Sequence, residues 1–399
     1  MARIETDILI AGGGVAGLIA AAAFGRAGFS VLCVDPAAPV TEQAAAGADL
    51  RTTAFLQPSI AVLEAAGMWQ HLAAHATALQ VMRIVDAGGP AAEPRVTHDF
   101  DAADISDQPF GWNLPNWLLR RECLGALDRL EAVTFRPGVG FSQVTRRENA
   151  ALVTLDDGTR VAARLLIGAD GRDSAVRDAL GIPVRTARYG QKALAFAVTH
   201  PLPHGNVSTE IHRSGGPFTL VPLPDLDGMP CSAVVWMERG PEVQRLAALP
   251  EPVFEVEMSD RACHLMGPMH LATRRSTWPI ISQVAQRFTA QRCVLMAEAA
   301  HVVPPIGAQG LNMSLGDLAG LLDLAVARPE GLGDAAMLDA YERRRRLEVH
   351  LRVAGVDVLN RASMLTPQPL RDMRAAALNA LYSVAPVRRG LMRAGLGVR

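Results

Sequence analysis

Hydrophobic and polar positions divide this chain into stretches with different periods. Ile8, Leu9 and Ile10 form an unbroken apolar run, the mark of a strand buried on both faces. Gly12 to Gly17 interrupts it, the Ala-rich stretch Leu18 to Ala27 predicts a small-residue helix, and Ser30 to Val34 predicts the next strand. The chain therefore opens as a βαβ unit. A hairpin follows at Ala151–Leu155 and Arg160–Ile167, turning at Asp156, Asp157 and Gly158. Ala193–Thr199, Val207–His212, Phe218–Pro222 and Ser232–Met237 read as strands of a β-rich middle section. A strand at Arg292–Met296 leads through a Pro/Gly loop into a helix from about Ser314 to Ala327. Beyond Leu338 the pattern is helical, with breaks expected at Pro367, Pro369 and Pro386.

The chain has 399 residues, 49% of them hydrophobic, enough for a large core, and no internal repeat. Its net charge of −1 argues against a nucleic-acid binder. The balance is uneven, because Arg361 to Arg399 holds seven arginines against the single acid Asp372. Such a tail suits an anionic surface or pairing between subunits, as monomer or homodimer. The five cysteines lack ligand or CxxC spacing, so neither zinc nor a disulfide framework is expected, and a reducing cytoplasm fits. Arg3, Glu5 and Asp7 do not suit a secretory leader, and the apolar stretch Val15 to Phe24 is too short to cross a bilayer. The expectation is a cytoplasmic protein, at most peripherally membrane-associated.

Gly12-Gly13-Gly14-Val15-Ala16-Gly17 has the GxGxxG form, after a strand and opening a helix, with Asp35 ending the next strand. Gly12 permits the turn, Gly14 lets a pyrophosphate approach the backbone, and Gly17 lets helix and strand pack closely. The helix start offers N–H groups and a positive dipole end to phosphate, and Asp35 can accept from ribose hydroxyls. That predicts a dinucleotide without separating NAD from FAD.

Two later stretches separate them by resemblance. Leu166-Ile167-Gly168-Ala169-Asp170-Gly171, continuing to Arg177, resembles the DG motif of flavoprotein aromatic hydroxylases. Arg292 to Asn312, RCVLMAEAAHVVPPIGAQGLN, resembles their second FAD motif, written GD…HPxxGQGxN. Arg51 to Phe55, Pro115 to Arg121, Val221 to Pro224 with Val235-Trp236, and the C-terminal LMRAGLG are similar to the ubiquinone-biosynthesis hydroxylases. The resemblance spans nearly the whole chain. It implies an α/β protein: a glutathione-reductase-type, Rossmann-like FAD-binding domain with an inserted mixed β-sheet substrate domain and C-terminal helices. The expected division is 1–75, 111–185 and 275–345 for FAD, 76–110 and 186–274 for substrate, and 346–399 for the helices.

The same resemblance implies tightly but non-covalently bound FAD and NAD(P)H as a transient reductant. It implies a monooxygenase that hydroxylates a hydrophobic, polyprenylated phenol with O2 through a flavin C4a-hydroperoxide, with other ubiquinone-biosynthesis proteins as partners. Asp170, Gly171, Glu298, Pro305, Gly307, Gln309, Gly310, Leu311 and Asn312 join the glycine motif as implied cofactor contacts, as do Arg51, Arg120 and Arg121. The side-chain-poor loop Gly307–Gly310 before a helix would turn N–H groups toward the flavin pyrimidine and stabilise its reduced anion. One departure stands out: Ala297-Glu298 replaces the usual Gly-Asp, which matters if that position needs positive φ. Two other functions stay open, an FAD-dependent isoprenoid reductase and a flavin-binding scaffold subunit without turnover. His301 in the FAD loop is read as structural before catalytic, and no residue emerges as a general base. Trp112, Trp117, Trp236 and Trp278 read as core or pocket wall, and Arg343 to Arg346 as a solvated face pairing with Glu342 and Glu348.

Overall fold

The structure, a computed structural model, describes residues 3–89, 91, 93–213 and 215–397; Arg399, the last of the seven tail arginines, lies outside them. The strand Ile4–Ala11 sits at the centre of the first sheet, parallel to Val31–Asp35 on one side and to Arg160–Gly168 on the other. Val133–Pro137 and Cys293–Leu295 extend the parallel set outward. Ile8, Leu9 and Ile10 are fully buried, as two covered faces require. The hairpin Ala151–Leu155 and Arg160–Gly168 turns where its sequence says, with Gly158 at φ +82°. The helix Val15–Arg26 packs over this sheet; Leu18 to Phe24 are all buried, and its run of alanines keeps the approach close.

A second, nine-stranded sheet takes strands from 81–101, 184–239 and 270–302. Its spine is the sixteen-residue strand Val184–Thr199, antiparallel to both Met229–Arg239 and Ser276–Ala285. Ser276–Ala285, which the sequence division assigns to the FAD portion, thus pairs in the second sheet. Alternation gives this sheet two unlike faces. Leu194, Phe196, Val198, Trp236, Phe218 and Leu220 face the helices Gly240–Ala248 and Glu251–Arg261, which bring Val243, Leu246, Phe254 and Met258. The opposite face carries the smaller Ala193, Ala197 and Ala233. A three-stranded sheet, Thr52–Leu56, Gly111–Pro115 and Thr77–Leu79, bridges the two.

The helix Gln309–Ala327 begins five residues earlier than its sequence suggests. It is long and apolar enough to cross a membrane by composition, but it packs here in the core, with Leu315, Leu318, Leu321 and Ala325 fully buried. The C-terminal region forms helices Ala335–Ser363, Gln368–Ser383 and Ala385–Leu396. Pro367 does end a helix-free link, whereas Pro369 and Pro386 stand in first turns and start helices instead of breaking them, because the missing N–H is not needed there.

Candidate active site

The glycine motif lies where the first strand hands over to its helix. Gly12 has φ +119°, and a Cβ there would stand 2.2 Å from the Ala169 carbonyl oxygen of the DG segment. A Cβ at Gly17 would stand 1.9 Å from the Gly12 oxygen. Both glycines are thus demanded by the protein's own packing. Gly14 is different: its φ of −69° suits any residue, and an added Cβ would meet nothing within 4 Å. Its bareness leaves room for something outside the chain, such as a pyrophosphate at the uncapped helix start Val15, Ala16 and Gly17. Asp35 braces the turn, accepting from Gly13 N at 2.6 Å and Ala37 N at 2.8 Å, and each oxygen keeps a further lone pair for a ribose hydroxyl.

Asp170 also works within the chain. It accepts from Ser174 Oγ (2.5 Å) and Val176 N (3.0 Å), fixing the start of the helix Ala175–Ala179, while burial pushes its carboxyl above the ordinary value. Gly171 beside it has φ +85°.

The arginines part company. Arg51 grips Asp49 in a bidentate pair, Nε to Oδ1 at 2.8 Å and the second nitrogen to Oδ2 at 2.7 Å. Arg120 approaches the same carboxylate at 3.7 Å, and Asn116 Nδ2 donates to it at 3.0 Å. Burial alone would raise the Asp49 carboxyl, but Arg51 and Asn116 outweigh it and hold the group below the usual range. Asp49 holds Arg51 protonated in turn, with Glu298 adding to the effect by charge. A cleft of about 290 Å³ opens here, lined among others by Asp49, Arg51, Arg120, Thr277 and Trp278, with the Arg51 guanidinium 5.5 Å from the Trp278 ring centre. Arg121 points elsewhere, to Glu122 and over Trp117, half exposed. Asp49, which organises this cluster, carries no sequence signal beyond being an acid two residues before Arg51.

Glu298 occupies a short turn, Ala297–Ala299, with its side chain about half exposed and 3.7 Å from Arg172. Ala297 has φ +55°, the left-handed conformation in which glycine is at ease. Counting back from Asn312, the pattern GQGxN puts its first glycine at Ala308, a second departure the sequence reading passed over. Ala308 has φ +56° and follows Gly307 at φ +62°. Pro305 precedes this turn, and the uncapped helix start Gln309, Gly310 and Leu311 follows it. Gln309 and Asn312 spend their side chains inside the protein. Asn312 Nδ2 donates to the Ala54 and Ala308 carbonyls, and its Oδ1 accepts from Leu56 N and Ser59 Oγ. Gln309 Nε2 donates to the Gly307 and Gly395 carbonyls, and its Oε1 accepts from Arg352.

The same loop meets the small-residue face of the second sheet. Val303 and Ile306 from the loop, Ala193, Met237, Trp278 and Ile280 from the sheet, and Val356 from the long helix form one apolar cluster. Trp236 lies on the other face, in the core. Behind the loop is a buried ion network that the sequence reading missed. His301 Nε2 and Asp317 Oδ2 are 2.7 Å apart; Arg345 Nε donates to Asp317 Oδ1 at 2.8 Å and Ala297 N to Oδ2 at 3.0 Å. His301 is therefore tied inward. Arg345 is 3% exposed, so the run Arg343 to Arg346 is not wholly a solvated face. Glu348 does pair with it, but Glu342 instead accepts from Phe288 N. Four arginines in a row cover a full turn of the helix, which hides which one is turned inward.

Residues 5–354 match the family described as FAD binding domain. The chain is 34% identical over 394 residues to ubiquinone hydroxylase UbiL of Rhodospirillum rubrum, covering 98% of this chain and 89% of that protein. It is 26% identical to 3-demethoxyubiquinol 3-hydroxylase of Escherichia coli, covering 100% of each. Among solved structures, p-nitrophenol 4-monooxygenase PnpA of Pseudomonas putida superposes with a TM-score of 0.80 at 19% identity, over 100% of both chains. PqsL of Pseudomonas aeruginosa superposes at 0.75 with 23% identity, over 92% of this chain and 98% of that one. Glycine cradle, acid, second loop and whole-length likeness together place this chain in the FAD binding domain family.

Proposed function

We propose that this chain is an FAD-dependent monooxygenase that hydroxylates the ring of a hydrophobic, polyprenylated phenol in ubiquinone biosynthesis. The observation that carries the reading is the meeting of the Pro305–Gly307 loop, through Ile306, with the sheet face that carries Ala193. A ring held beside this loop would meet the apolar wall of Ile280, Met237 and Ile306, which excludes water. Gly12 to Gly17, Asp35, Glu298 and the helix start Gln309–Asn312 are the groups to hold FAD. FAD, when bound, supplies the electron transfer and oxygen chemistry, with NAD(P)H as transient reductant. The chain's part is positioning: the helix start presents N–H dipoles to negative charge, and Asp49 fixes Arg51 and Arg120 at the cleft. The division into an FAD portion, an inserted substrate sheet and a helical end is part of this reading, with Ser276–Ala285 moved to the substrate sheet because it pairs there.

A deletion strain and the purified protein test this together. Loss of a hydroxylated quinone precursor in the strain, with prenylphenol-dependent O2 uptake in vitro, is expected. Oxygen-independent reduction of an isoprenoid double bond would replace this reading with a reductase. Bound flavin that no nicotinamide reduces, with any prenylphenol present, would replace it with a scaffold.

A further inference from the structure

The helix Gln368–Ser383 is folded inside out. Its inward side is polar: Arg374 grips the buried Asp86 at 2.7 and 2.9 Å, Tyr382 OH donates to the Asp99 carbonyl, and its ring stacks on His98 at 3.9 Å. Asn379 and Asp372 reach back to His98 and Arg95. Its outward side is apolar, with Leu370 at 38%, Met373 at 66% and Leu381 at 47% exposure, spaced by exposed Ala376, Ala377 and Ala380. The next helix continues the pattern with Val387 and Leu391 outward and Met392 and Leu396 inward. The long helix adds Leu347, Leu351, Val358 and Leu359. Ten of the seventeen exposed large apolar side chains among the described residues fall after residue 346. A surface helix ordinarily turns this side to the core.

We infer that the outward face of the last two helices docks on an anionic lipid surface. The charges decide between occupants. Arg389 and Arg393 flank Val387 and Leu391 and have no carboxylate partner among the described residues, as is true of Arg343 and Arg346 beside Leu347. The acids of this region are engaged: Asp372 with Arg95, Asp357 with Arg361, Glu348 with Arg345 and Arg352. A second copy would bring arginines against arginines, whereas an anionic bilayer supplies both the apolar layer and the opposite charge. The end of the last helix reaches the cofactor loop, because Gly395 accepts from Gln309 and the inward Leu396 lines a cavity of about 130 Å³ with Gln309, Met313 and Arg352. The docking itself does not depend on which ring the enzyme hydroxylates.

The test is co-sedimentation of the flavin-loaded full chain with vesicles. Binding to phosphatidylcholine vesicles holding a third phosphatidylglycerol is expected, with little binding to phosphatidylcholine alone and release at high salt. The double variant R389E/R393E should weaken it about tenfold or more, as the loss of two surface cations near an anionic leaflet implies. L391Q should weaken it without changing the flavin spectrum. Equal binding to both vesicle types, or unchanged binding by both variants, would overturn the inference. So would absent vesicle binding together with a dimer that L391Q dissociates, which assigns the face to a second copy.

Discussion

Replacing Ala308 by glycine should stabilise this protein, and replacing Ala297 should not, although both hold φ near +55°. A residue with a Cβ in the left-handed region costs about 1–2 kcal/mol. Glycine removes that cost but is freer in the unfolded chain, which takes back about 0.4–1 kcal/mol. The balance favours glycine by about 0.5–1 kcal/mol at a site where the methyl touches little. Ala308 is such a site, half-buried at the helix start. Ala297 is 5% exposed, and deleting its buried methyl forfeits about 0.8 kcal/mol, which cancels the gain. If the 399 residues unfold as one unit, about 2.1 cal/mol/K per residue makes 1 kcal/mol worth only about 1 °C. Chemical denaturation of the apoprotein, at equal m-value, is therefore the assay. A308G should shift the midpoint upward and A297G leave it in place, while A308V should shift it downward. A308G at or below the parent, with A308V no worse, would refute the claim that this backbone conformation carries a cost.

Gly14→Ala should unfold at the parent's midpoint yet bind FAD at least tenfold more weakly in a fluorescence titration, since its Cβ has space in the protein and none against a phosphate. Gly12→Ala and Gly17→Ala should instead lower stability outright, their Cβ atoms meeting backbone at 2.2 and 1.9 Å; a stable, FAD-binding G17A would contradict the packing described. Asp317→Ala should cost about 3–5 kcal/mol, because it removes the buried carboxylate that Arg345 Nε and His301 share, leaving Arg345 only Glu348 and the Met313 carbonyl. Burial raises the Asp317 carboxyl, but His301 and Arg345 outweigh it and hold it below its ordinary value of 3.8. A carboxyl depressed in the folded state contributes stability that is complete above its unfolded value and is lost as pH falls through the folded one. The parent should therefore lose this contribution below about pH 4, and the variant's stability should be flatter there; parallel curves would exclude the network as the cause.

The sequence was most legible where structure is local. The opening βαβ, the hairpin at Asp156–Gly158 and the strand Val207–His212 follow from periodicity and turn residues alone. The early start of the helix at Gln309 was hidden because Gly310 and Asn312 look like loop, and only the Asn312 bonds to the strand Thr52–Leu56 explain its place. Asp49 lay in an unpatterned loop. Asp317 was legible after all, as a charge among the apolar residues of a buried helix, where a paired cation is nearly obligatory. Its partner Arg345 was concealed by three neighbouring arginines, and no local rule distinguishes them.

The central sheet joins neighbours that are distant along the chain. The strand Arg160–Gly168 pairs along one edge with Ile4–Ala11; on the other, its hairpin partner Ala151–Leu155 covers residues 160–163, while Leu166–Gly168 is covered by Cys293–Leu295, more than 100 residues further on. During synthesis the first edge can close once residue 168 has emerged, whereas the end of the second, Leu166–Gly168, waits for the whole inserted sheet to be made. Through that interval the short apolar edge Leu166–Gly168 stays open to non-native pairing. A fragment ending before residue 293 keeps the glycine cradle but never closes that edge, which makes truncation there a poor route to an isolated nucleotide domain.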